Sequence, residues 1–594
     1  MHSISRRSWP TIRRLLGYLR PYWPAVGLAF VLVVGVSFLG PLRPKLVQVA
    51  IDAHVLKGDL QGLLRVGLGL LGLLVLEAFL QFFSAYLTRW IGQQALFDLR
   101  QEVFGHIIRL APRYFDRTPV GRLVTRVTSD VEALDDVFSA GVVTILGDLL
   151  RLFFIVFMMF WLSWQLALVA LSVLPLLVGA TFVFRKRVGL MYRKVRSEVT
   201  RLNAFLQEHL TGMAIVQLFR QEARVEERFR QINDDHRRAQ IKTIFYFALF
   251  WPSVQLISSL ATGLVLWYGG LNALQGALTL GVVVAFLQYI QQFFGPIQDL
   301  ADKYNTILAA LAASERIFEV LDTREVIPDQ GRVRALDGLS GSVRFEQVWF
   351  AYTEESGEPR WVLRDISFQV EPGECVAFVG ATGAGKTTLM QLVGRFYEPQ
   401  RGRIWLGGVD IRDLELPLLR KSVVIIQQDA FLFSGTLWEN ITLGDPEIQE
   451  PELWQALEEL QLTDWVRALP KGLHTPLLER GLSLSAGQRQ LVALLRAWVR
   501  RPRVVILDEA TANIDVQTEA RIERMLSSWR GQRTLLIVAH RLSTVERADR
   551  IFVLHQGRLL EQGRHEELLA RSNLYRRLYE LQFQEQSVPS RLDT

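Results

Sequence analysis

Six long apolar runs alternate with polar, arginine-rich segments in the first half of the chain. A helix needs about 20 apolar residues to cross the hydrocarbon core of a bilayer, and each run approaches or exceeds that length. The pattern therefore predicts six membrane-spanning helices, with both termini on the same side. The runs are Pro24–Gly40, Leu63–Phe83, Val142–Leu162, Ala167–Phe184, Ile244–Tyr268 and Leu278–Phe294.

The polar segments between these runs differ in length and charge. The turns Ser163–Gln165 and Gly269–Gln275 are short and carry no Arg or Lys, whereas Trp90–Asp136 and Arg185–Thr243 are long, helix-like and rich in Arg. Since cytoplasmic loops carry an excess of Arg and Lys, we expect the long extensions and both termini in the cytoplasm. The exceptions to this trend follow the first run: Arg43, Lys45 and Lys57.

The N-terminal segment Trp9–Tyr22 places Leu15, Leu16 and Leu19 among arginines. This spacing predicts an amphipathic helix lying on the cytoplasmic membrane surface, and a disordered basic leader is the alternative. No small-residue cleavage site follows the first apolar run, so we interpret that run as an anchor and not as a signal peptide.

The pattern changes after residue 322. Thr323–Gly341 contains Pro328 and several glycines, which predicts a linker, and short apolar strands alternating with helical patterns follow it. We expect a membrane domain over residues 1–322 with the amphipathic helix at about 9–22, a linker over 323–340, a soluble α/β domain over 341–582 and a C-terminal tail over 583–594.

The composition fits this division. Of 594 residues, 50% are hydrophobic and 21% charged, which suggests an apolar part joined to a water-soluble part. A net charge of +7 is compatible with nucleic-acid binding. The basic residues flank the apolar runs, however, so we favour contact with anionic membrane lipid and expect no nucleic acid. Cys375 is the one cysteine of the sequence, and we expect it to be a small core residue.

A glycine-rich loop follows the short apolar strand Cys375–Val379 and precedes an apolar helical pattern. It has the spacing GxxxxGK[ST], in which backbone N–H groups at a helix N-terminus cradle phosphates. Lys386 is expected at the β- and γ-phosphates of a nucleotide, and Thr387 at Mg²⁺. The candidate binding residues of the loop are Gly380, Thr382, Gly383, Gly385, Lys386, Thr387 and Thr388.

A second apolar strand, Val504–Leu507, ends in two carboxylates. Asp508 suits the Mg²⁺ shell, and Glu509 suits accepting a proton from an attacking water. Behind a phosphate loop, such carboxylates indicate a P-loop NTPase.

Another glycine pattern does not indicate a nucleotide site. Gly67, Gly69 and Gly72 have the spacing GxGxxG, but they lie inside the second apolar run with no strand before them. We expect these glycines to allow close helix packing.

Further motifs narrow the class of NTPase. In chain order they are Tyr352, Ile426–Asp429, Leu484–Gln488, Ala510–Asp515 and Ala539–Ser543. Together with the phosphate loop they resemble the ATP-binding cassette ATPases, and the six preceding spans resemble the half-transporter of the ABC exporter family. Phe115–Arg126 and Ser163–Leu166 are also similar to that family. The resemblance implies an α-helical membrane domain of six transmembrane helices with long cytoplasmic extensions, joined to an α/β P-loop NTPase domain.

The resemblance also implies a role for each motif residue. Tyr352 resembles the aromatic residue that stacks on adenine, Gln428 the glutamine that touches Mg²⁺ and the attacking water, and His540 the switch histidine at the γ-phosphate. Ser485 and Gly487, with Gln488 behind them, would contact ATP bound on the opposite subunit, and Asp515 would cross the dimer interface. The expected catalytic residues are Glu509, His540 and Gln428, and the expected metal ligands are Thr387, Gln428 and Asp508.

Two features concern coupling and partnership. Glu479 matches an exporter-specific loop near the coupling helices, which are expected near Pro119–Leu123 and Thr211–Ile215. Because the signature residues act across an interface, the resemblance implies a dimer that binds ATP and Mg²⁺. The chain has Ala486 where the family has glycine, yet it keeps the catalytic glutamate and histidine. This combination resembles one subunit of heterodimeric exporters, so we favour a second half-transporter as partner, with a homodimer as the alternative.

The function implied by the resemblance is ATP-driven export of amphipathic compounds (drugs, lipids or peptides) by alternating access, in the cytoplasmic membrane of a prokaryote. The alternatives are an exporter-fold importer and an ATP-dependent regulator that transports nothing. Charges inside the spans are candidate substrate ligands. Glu77 lies in the second span, and Asp148 and Arg151 are expected to pair along the third. Aromatic residues of the last two spans, with Gln288, Gln291 and Gln292 between them, would suit an amphipathic substrate, whereas lipid and helix contacts are their simpler role.

Overall fold

The computed structural model describes residues 4–135, 137–138, 142–329, 331–333, 339–352, 359–508, 516–539, 542–571 and 573–582. The chain forms two compact units. The first unit contains Met1–Ile108 and Gly121–Thr323, and the second contains Arg109–Val120 and Arg324–Thr594. Arg109–Val120, which the sequence places in the membrane domain, therefore belongs to the unit that contains the α/β sheet.

The chain begins with twelve helices, and all but the fourth and the first residue of the fifth lie in the first unit. They are α1 (Ile4–Gly17), α2 (Trp23–Val49), α3 (Leu60–Ile107), α4 (Pro112–Arg117), α5 (Val120–Val127), α6 (Ser129–Glu132), α7 (Val142–Leu162), α8 (Trp164–Leu171), α9 (Leu174–Thr211), α10 (Met213–Leu218), α11 (Glu222–Leu274) and α12 (Leu280–Leu321). A 3₁₀ turn at Arg20–Tyr22 precedes α2, and a π-helix at Ala50–Val55 continues it.

In the part of the chain that the structure describes, six helical segments are long and apolar enough to span a membrane. Each coincides with one of the predicted runs, so the prediction of six spans is confirmed. Several of these helices extend far beyond a bilayer: α11 has 53 residues, or about 80 Å at 1.5 Å per residue, against a hydrocarbon core of about 30 Å. The prediction of long helical extensions is therefore confirmed too.

Polar side chains mark where three of these helices begin. Asp59 accepts a hydrogen bond from Gly62 N at 2.9 Å at the start of α3, and Ser163 accepts one from Leu166 N at 3.4 Å at the start of α8. Thr279 caps α12 in the same way, through Val282 N at 3.4 Å. These N-caps satisfy amide groups that lack partners within the helix, which is why short polar turns suffice between apolar runs.

The N-terminal segment is an ordered helix. Leu15 is buried and Leu16 exposed, and the guanidinium of Arg14 donates a hydrogen bond to Asp322 at 2.6 Å while lying 4.3 Å from the ring centre of Phe318. The amphipathic interpretation fits this arrangement, and a disordered leader is wrong for residues 4–17.

Two expectations about the spans are wrong. A Cβ added at Gly67, Gly69 or Gly72 would meet nothing within 4 Å, so within this chain these glycines face outward and do not serve close helix packing. Asp148 does not pair with Arg151 along α7. Its carboxylate accepts a hydrogen bond from Lys303 of α12 at 2.5 Å, because helix packing brings that ammonium group closer.

The second unit contains a six-stranded sheet and a four-stranded antiparallel sheet. The strands are β1 (Val343–Phe350), β2 (Leu363–Val370), β3 (Cys375–Val379), β4 (Arg401–Leu406), β5 (Val409–Asp410), β6 (Val423–Ile426), β7 (Gly435–Thr436), β8 (Pro476–Leu477), β9 (Val504–Asp508), β10 (Thr534–Val538), β11 (Arg550–His555) and β12 (Arg558–Gly563). The larger sheet has the order β12-β11-β3-β10-β9-β6, and its strands are parallel except β12.

Helices surround these sheets, as the α/β pattern predicted. They are α13 (Lys386–Val393), α14 (Leu416–Ser422), α15 (Leu437–Thr442), α16 (Glu450–Glu459), α17 (Thr463–Arg467), α18 (Ala486–Arg500), α19 (Val516–Trp529), α20 (Leu542–Glu546), α21 (His565–Arg571) and α22 (Asn573–Gln582). Cys375 is fully buried in the core, as expected, and burial raises the pKa of its thiol to about 11.

The predicted linker is attached to the second unit. Arg332 N donates to Asp413 O at 2.8 Å, and Arg395 donates to Pro328 O at 2.7 Å. A Cβ at Gly331 would lie 2.2 Å from Glu415 N, so this close backbone approach requires glycine. The described part of the linker is thus packed and not free.

One buried carboxylate of the first unit, that of Asp130, is held by two arginines. Asp130 of α6 accepts hydrogen bonds from Arg126 at 2.5 Å and from Arg316 Nε at 3.2 Å. Burial opposes its ionisation, but the hydrogen bonds from Arg316 and Arg126 outweigh this effect and hold the pKa of Asp130 below its usual range.

Asp130→Asn should therefore destabilise the first unit by about 1–3 kcal/mol at neutral pH, because two guanidinium groups lose a charged acceptor. The effect should shrink as pH falls through the depressed pKa of Asp130, since protonation removes the same charge. Thermal unfolding of the purified protein as a function of pH measures both. Asp234→Asn, which removes a carboxylate paired along α11 with Arg237 and Arg238, is the matched control and should change little. If the two variants changed the free energy of unfolding equally, the stabilising role assigned to Asp130 would be contradicted.

Candidate nucleotide site

The sheet order brings the two predicted phosphate and metal motifs to one edge. β3 leads into the glycine loop and β9 ends at Asp508, and β10 lies between them in the sheet. Because the carboxyl ends of parallel strands meet at the same edge, the loop and Asp508 are neighbours. Glu509, Asp515 and His540 lie outside the described residues, His540 two positions after the end of β10.

The glycines of the loop hold backbone shapes that a side chain would obstruct. Gly385 has φ +99°, and a Cβ there would lie 2.6 Å from Leu363 Cδ2. A Cβ at Gly380 would lie 2.2 Å from Leu554 O. Thr382 and Gly383 are exposed at the tip of the loop. At Gly380 and Gly385 the loop backbone therefore lies too close to its neighbours for any side chain, and only glycine fits. A glycine-rich backbone of this kind can turn its amide groups toward an anion.

Lys386 places a positive charge at the centre of the loop. Its side chain is buried, and its ammonium group donates hydrogen bonds to Gly380 O at 2.6 Å and Ala381 O at 3.2 Å. Lys386 is also the first residue of α13, whose N-terminal amides point the same way. Charge and helix dipole thus both favour an anion here.

Three predicted metal ligands line one small cavity. Thr387 Oγ1 donates to Asp508 Oδ1 at 3.3 Å, and both residues line a cavity of about 180 Å³ together with Gln428. A hydroxyl, a carboxylate and a carboxamide are oxygen donors of the kind that Mg²⁺ takes, and Mg²⁺ commonly uses few protein ligands beside phosphate and water.

The predicted adenine-stacking residue is held firmly. The hydroxyl of Tyr352 lies 2.8 Å from Thr388 Oγ1 and donates to Gln391 Oε1 at 3.1 Å. The ring packs edge-on against Phe350 and Tyr397, at centroid distances of 4.9 and 5.2 Å. Burial raises the pKa of Tyr352. Tyr352 is thereby linked to the phosphate loop through Thr388.

Several polar residues beside Tyr352 were not predicted from the sequence. Arg117 of α4 donates to Tyr352 O at 3.3 Å, and the hydroxyl of Tyr397 donates a hydrogen bond to Asp116. Burial, and then this bond to Asp116, raise the pKa of Tyr397. These residues line a cavity of about 430 Å³ with Gln391 and Arg113. The family-like stretch that begins at Phe115 was a signal for Asp116, but no sequence signal marked Tyr397.

The first expected coupling segment, near Pro119–Leu123, crosses the boundary between the two units. Pro119 and Val120 belong to the second unit, as does α4, whereas Leu123 is buried within the first. The other expected coupling segment, Thr211–Ile215, lies in the first unit where α9 gives way to α10. Glu479 is exposed in a 3₁₀ turn, between the exposed side chains of Leu478 and Leu482.

The signature residues form the start of α18. Ser485 caps this helix: its hydroxyl accepts from Gln488 N at 3.2 Å, and Gln488 Oε1 accepts from Ser485 N at 2.9 Å. This reciprocal capping box explains the spacing of Ser and Gln in the motif. Gly487 is buried behind it. None of the three lines the described cavity at Thr387 and Asp508, where the predicted metal ligands meet.

Comparison with known proteins agrees with these features. Residues 26–297 match the family model of the ABC transporter transmembrane region, and residues 363–512 match that of the ABC transporter. An uncharacterized ABC transporter ATP-binding protein of Bacillus subtilis, YknV, is 34% identical over 97% of this chain and 95% of its own length.

Other relatives have names that mention lipids. An ATP-dependent lipid A-core flippase of Thiobacillus denitrificans is 35% identical over 97% of this chain and 100% of its own length. A fatty acid ABC transporter ATP-binding/permease protein of Mycobacterium bovis is 38% identical over 85% of this chain and 79% of its own. The solved structure of a bacterial Atm1-family ABC exporter with ATP bound matches with a TM-score of 0.77 and 29% identity, covering 96% of this chain and 99% of that one.

Gly385→Ala should weaken nucleotide binding at least about tenfold, because the methyl group meets Leu363 and the backbone strain is of order 1–3 kcal/mol. Titration with a fluorescent ATP analogue measures it. Gly408→Ala is the matched control, since Gly408 also has positive φ (+82°) but lies in the turn between β4 and β5, with nothing within 4 Å of its Cβ position. It should bind nucleotide as the parent does. Equal loss in both variants would assign the effect to general destabilisation.

Proposed function

Since the chain belongs to the ABC exporter family as a half-transporter, an ATPase coupled to transport, we propose that it exports amphipathic compounds through an ATP site completed by a second subunit. The observation that carries this proposal is the meeting of Thr387 and Asp508 at the cavity lined by Gln428, beside the phosphate loop. This set of groups fits a nucleoside triphosphate with its bound cation.

Each residue of the site has a task in this proposal. Gly380, Thr382, Gly383 and Gly385 present backbone amides to the phosphates, with Lys386 as the counter-charge and Thr388 in the same loop. Tyr352 stacks on adenine. Thr387, Asp508 and Gln428 hold Mg²⁺, which supplies charge neutralisation on the phosphates when bound. Glu509 accepts the proton of the attacking water, and His540 contacts the γ-phosphate.

In this proposal, each subunit contributes residues to the nucleotide site of the other. Ser485, Gly487 and Gln488 lie at the start of α18, where the N-terminal end of the helix dipole would meet the γ-phosphate of a partner's nucleotide. Asp515 would cross the same interface. ATP binding would then close two cassettes on each other, and hydrolysis would release them, so that the membrane helices alternate between two states.

The proposal extends to topology and cargo. We assign transport to residues 1–322 and ATP hydrolysis to residues 341–582, joined by a linker over 323–340 and followed by a tail over 583–594. Both termini would face the cytoplasm at a prokaryotic inner membrane. The relatives named for lipid A-core and fatty acids favour a lipid or another amphipathic compound as cargo.

Glu509→Gln should reduce ATP turnover at least about 100-fold while leaving ATP binding intact, because the change removes the proton acceptor without removing the phosphate cradle. Phosphate release and binding of a fluorescent ATP analogue are measured in parallel. Glu458→Gln, an exposed acid of α16, is the control and should hydrolyse ATP as the parent does. Near-parent turnover of Glu509→Gln would contradict the catalytic assignment.

The partner is proposed to be a different half-transporter, because Ala486 replaces a signature glycine while Glu509 and His540 are kept. We expect the chain purified alone to show weak ATPase activity and to gain activity with that partner. Mass measurement of the detergent-solubilised protein and phosphate release test this. A stable homodimer with full, substrate-stimulated activity would contradict it.

A further inference from the structure

The helix pair α21 and α22 packs against the strands that lead into the nucleotide site. Its apolar side chains belong to a hydrophobic cluster that also contains Val379, the last residue of β3, and Ala539, directly after β10. Val379 precedes Gly380 of the phosphate loop, and Ala539 precedes His540. The helix pair therefore supports the ends of both strands from which these two segments emerge.

The short helix α20 depends on the same cluster. It begins two positions after His540 and has 5 residues, far fewer than the roughly 12–15 at which isolated helices become even marginally stable in water. Tertiary contacts must therefore hold it in place. Val545 of α20 is fully buried in the cluster, together with Leu568 of α21 and Tyr575 of α22. The position of α20 thus depends on the helix pair.

A polar contact joins the three helices. Tyr575 is 1% exposed, and its hydroxyl lies 2.7 Å from Nδ1 of His565, the first residue of α21. Nε2 of the same ring lies 3.9 Å from Glu546 Oε1, on the last residue of α20. The ring of His565 is therefore a bridge between α22 and α20.

The helix pair is itself fastened to the sheet. Tyr575 N donates to Glu561 Oε2 of β12 at 3.1 Å, and Arg576 Nε donates to Leu569 O of α21 at 2.9 Å. The first bond satisfies an amide in the opening turn of α22, and the second satisfies a carbonyl in the closing turn of α21. β12 pairs with β11, which pairs with β3. The pair is thus a fixed support, against which α20 is held by its side-chain contacts.

From this geometry, and resting on the role of His540 in the proposed function, we propose that Tyr575 and His565 are positioning residues for ATP hydrolysis. They act on the switch segment, which we define as residues 539–546. By holding α20 they fix this segment relative to the phosphate loop. Small misplacements of a catalytic group slow the chemical step, whereas ATP binding relies on the loop itself. The proposal therefore predicts an effect on kcat and not on KM.

Tyr575→Phe tests this with the smallest change, because it removes the hydroxyl and keeps the buried ring. We expect kcat for ATP to fall about fivefold, the rate equivalent of one neutral hydrogen bond. KM and the Kd of a fluorescent ATP analogue should stay at the parent values. Both are measured on the full chain in nanodiscs with any subunit that copurifies with it, and thermal unfolding shows whether each variant is folded.

Variants of His565 test the bridge. His565→Leu removes the contacts to Tyr575 and Glu546 and should lower kcat at least as much as Tyr575→Phe. His565→Asn keeps a polar atom near the position of Nδ1, so it should retain part of the lost rate. The matched control is His474→Leu. His474 Nε2 also lies near a glutamate, at 3.7 Å from Glu450 Oε1, but its side chain is 61% exposed against 16% for His565. This control should hydrolyse ATP as the parent does.

A double variant separates positioning from general destabilisation. If Tyr575 acts through His540, adding Tyr575→Phe to His540→Ala should lower the residual turnover no further. Additive losses would overturn the proposal, as would parent-like kcat in both Tyr575→Phe and His565→Leu, or a rise in KM in place of the fall in kcat.

The same measurements separate this proposal from the proposed function. Parent-like turnover of Tyr575→Phe beside impaired turnover of His540→Ala would overturn the positioning role alone and leave the function of the nucleotide site standing. Parent-like turnover of His540→Ala would instead contradict the role of His540 in the proposed function, and the positioning role would fall with it.

Discussion

A charged side chain inside a hydrocarbon layer must be paired, reach water or bind a ligand, and this constraint organises the membrane half of the protein. The packing of the helices obeys it by joining charges that are far apart in sequence. Arg43 meets Glu77 across α2 and α3, and Lys303 meets Asp148 across α12 and α7. These pairs tie four helices together at the positions where an unpaired charge would be most costly. Arg151 Nε, by contrast, has no hydrogen-bond partner among the residues that the structure describes.

The second unit meets a different constraint, the need to hold a polyanion with little side-chain charge. Most of the groups that would hold the polyanion belong to the backbone. β3 delivers the loop to the carboxyl edge of the sheet, glycines allow its close approaches, and α13 directs its N-terminal amides to the same point. Lys386 and the oxygen donors around Asp508 complete the site. The signature residues use a similar arrangement, a capped helix N-terminus, at the start of α18.

The two halves differ in how far the sequence predicts them. The spans were predictable because apolarity over about 20 residues is a local property, and the phosphate loop was predictable because its glycines follow one another along the chain. The partners of Asp148 and Glu77 were not, since no local pattern marks residues that meet only when helices pack. The same holds for Tyr397 and Asp116, which are 281 positions apart. The assignment of Arg109–Val120 to the second unit also depended on tertiary contacts, such as Ala111 N to Glu325 O at 2.7 Å.

The central proposal is that ATP hydrolysis at this site moves an amphiphile across the bilayer. The most direct measurement is translocation of fluorescently labelled lysophosphatidic acid in proteoliposomes that contain the chain with any subunit that copurifies with it, followed by quenching of the label that remains in the outer leaflet. For molecules whose cassettes face the added ATP, the account predicts ATP-dependent loss of label from the outer leaflet and none with the Glu509→Gln variant. ATP hydrolysis without movement, or movement toward the cassette side, would contradict it.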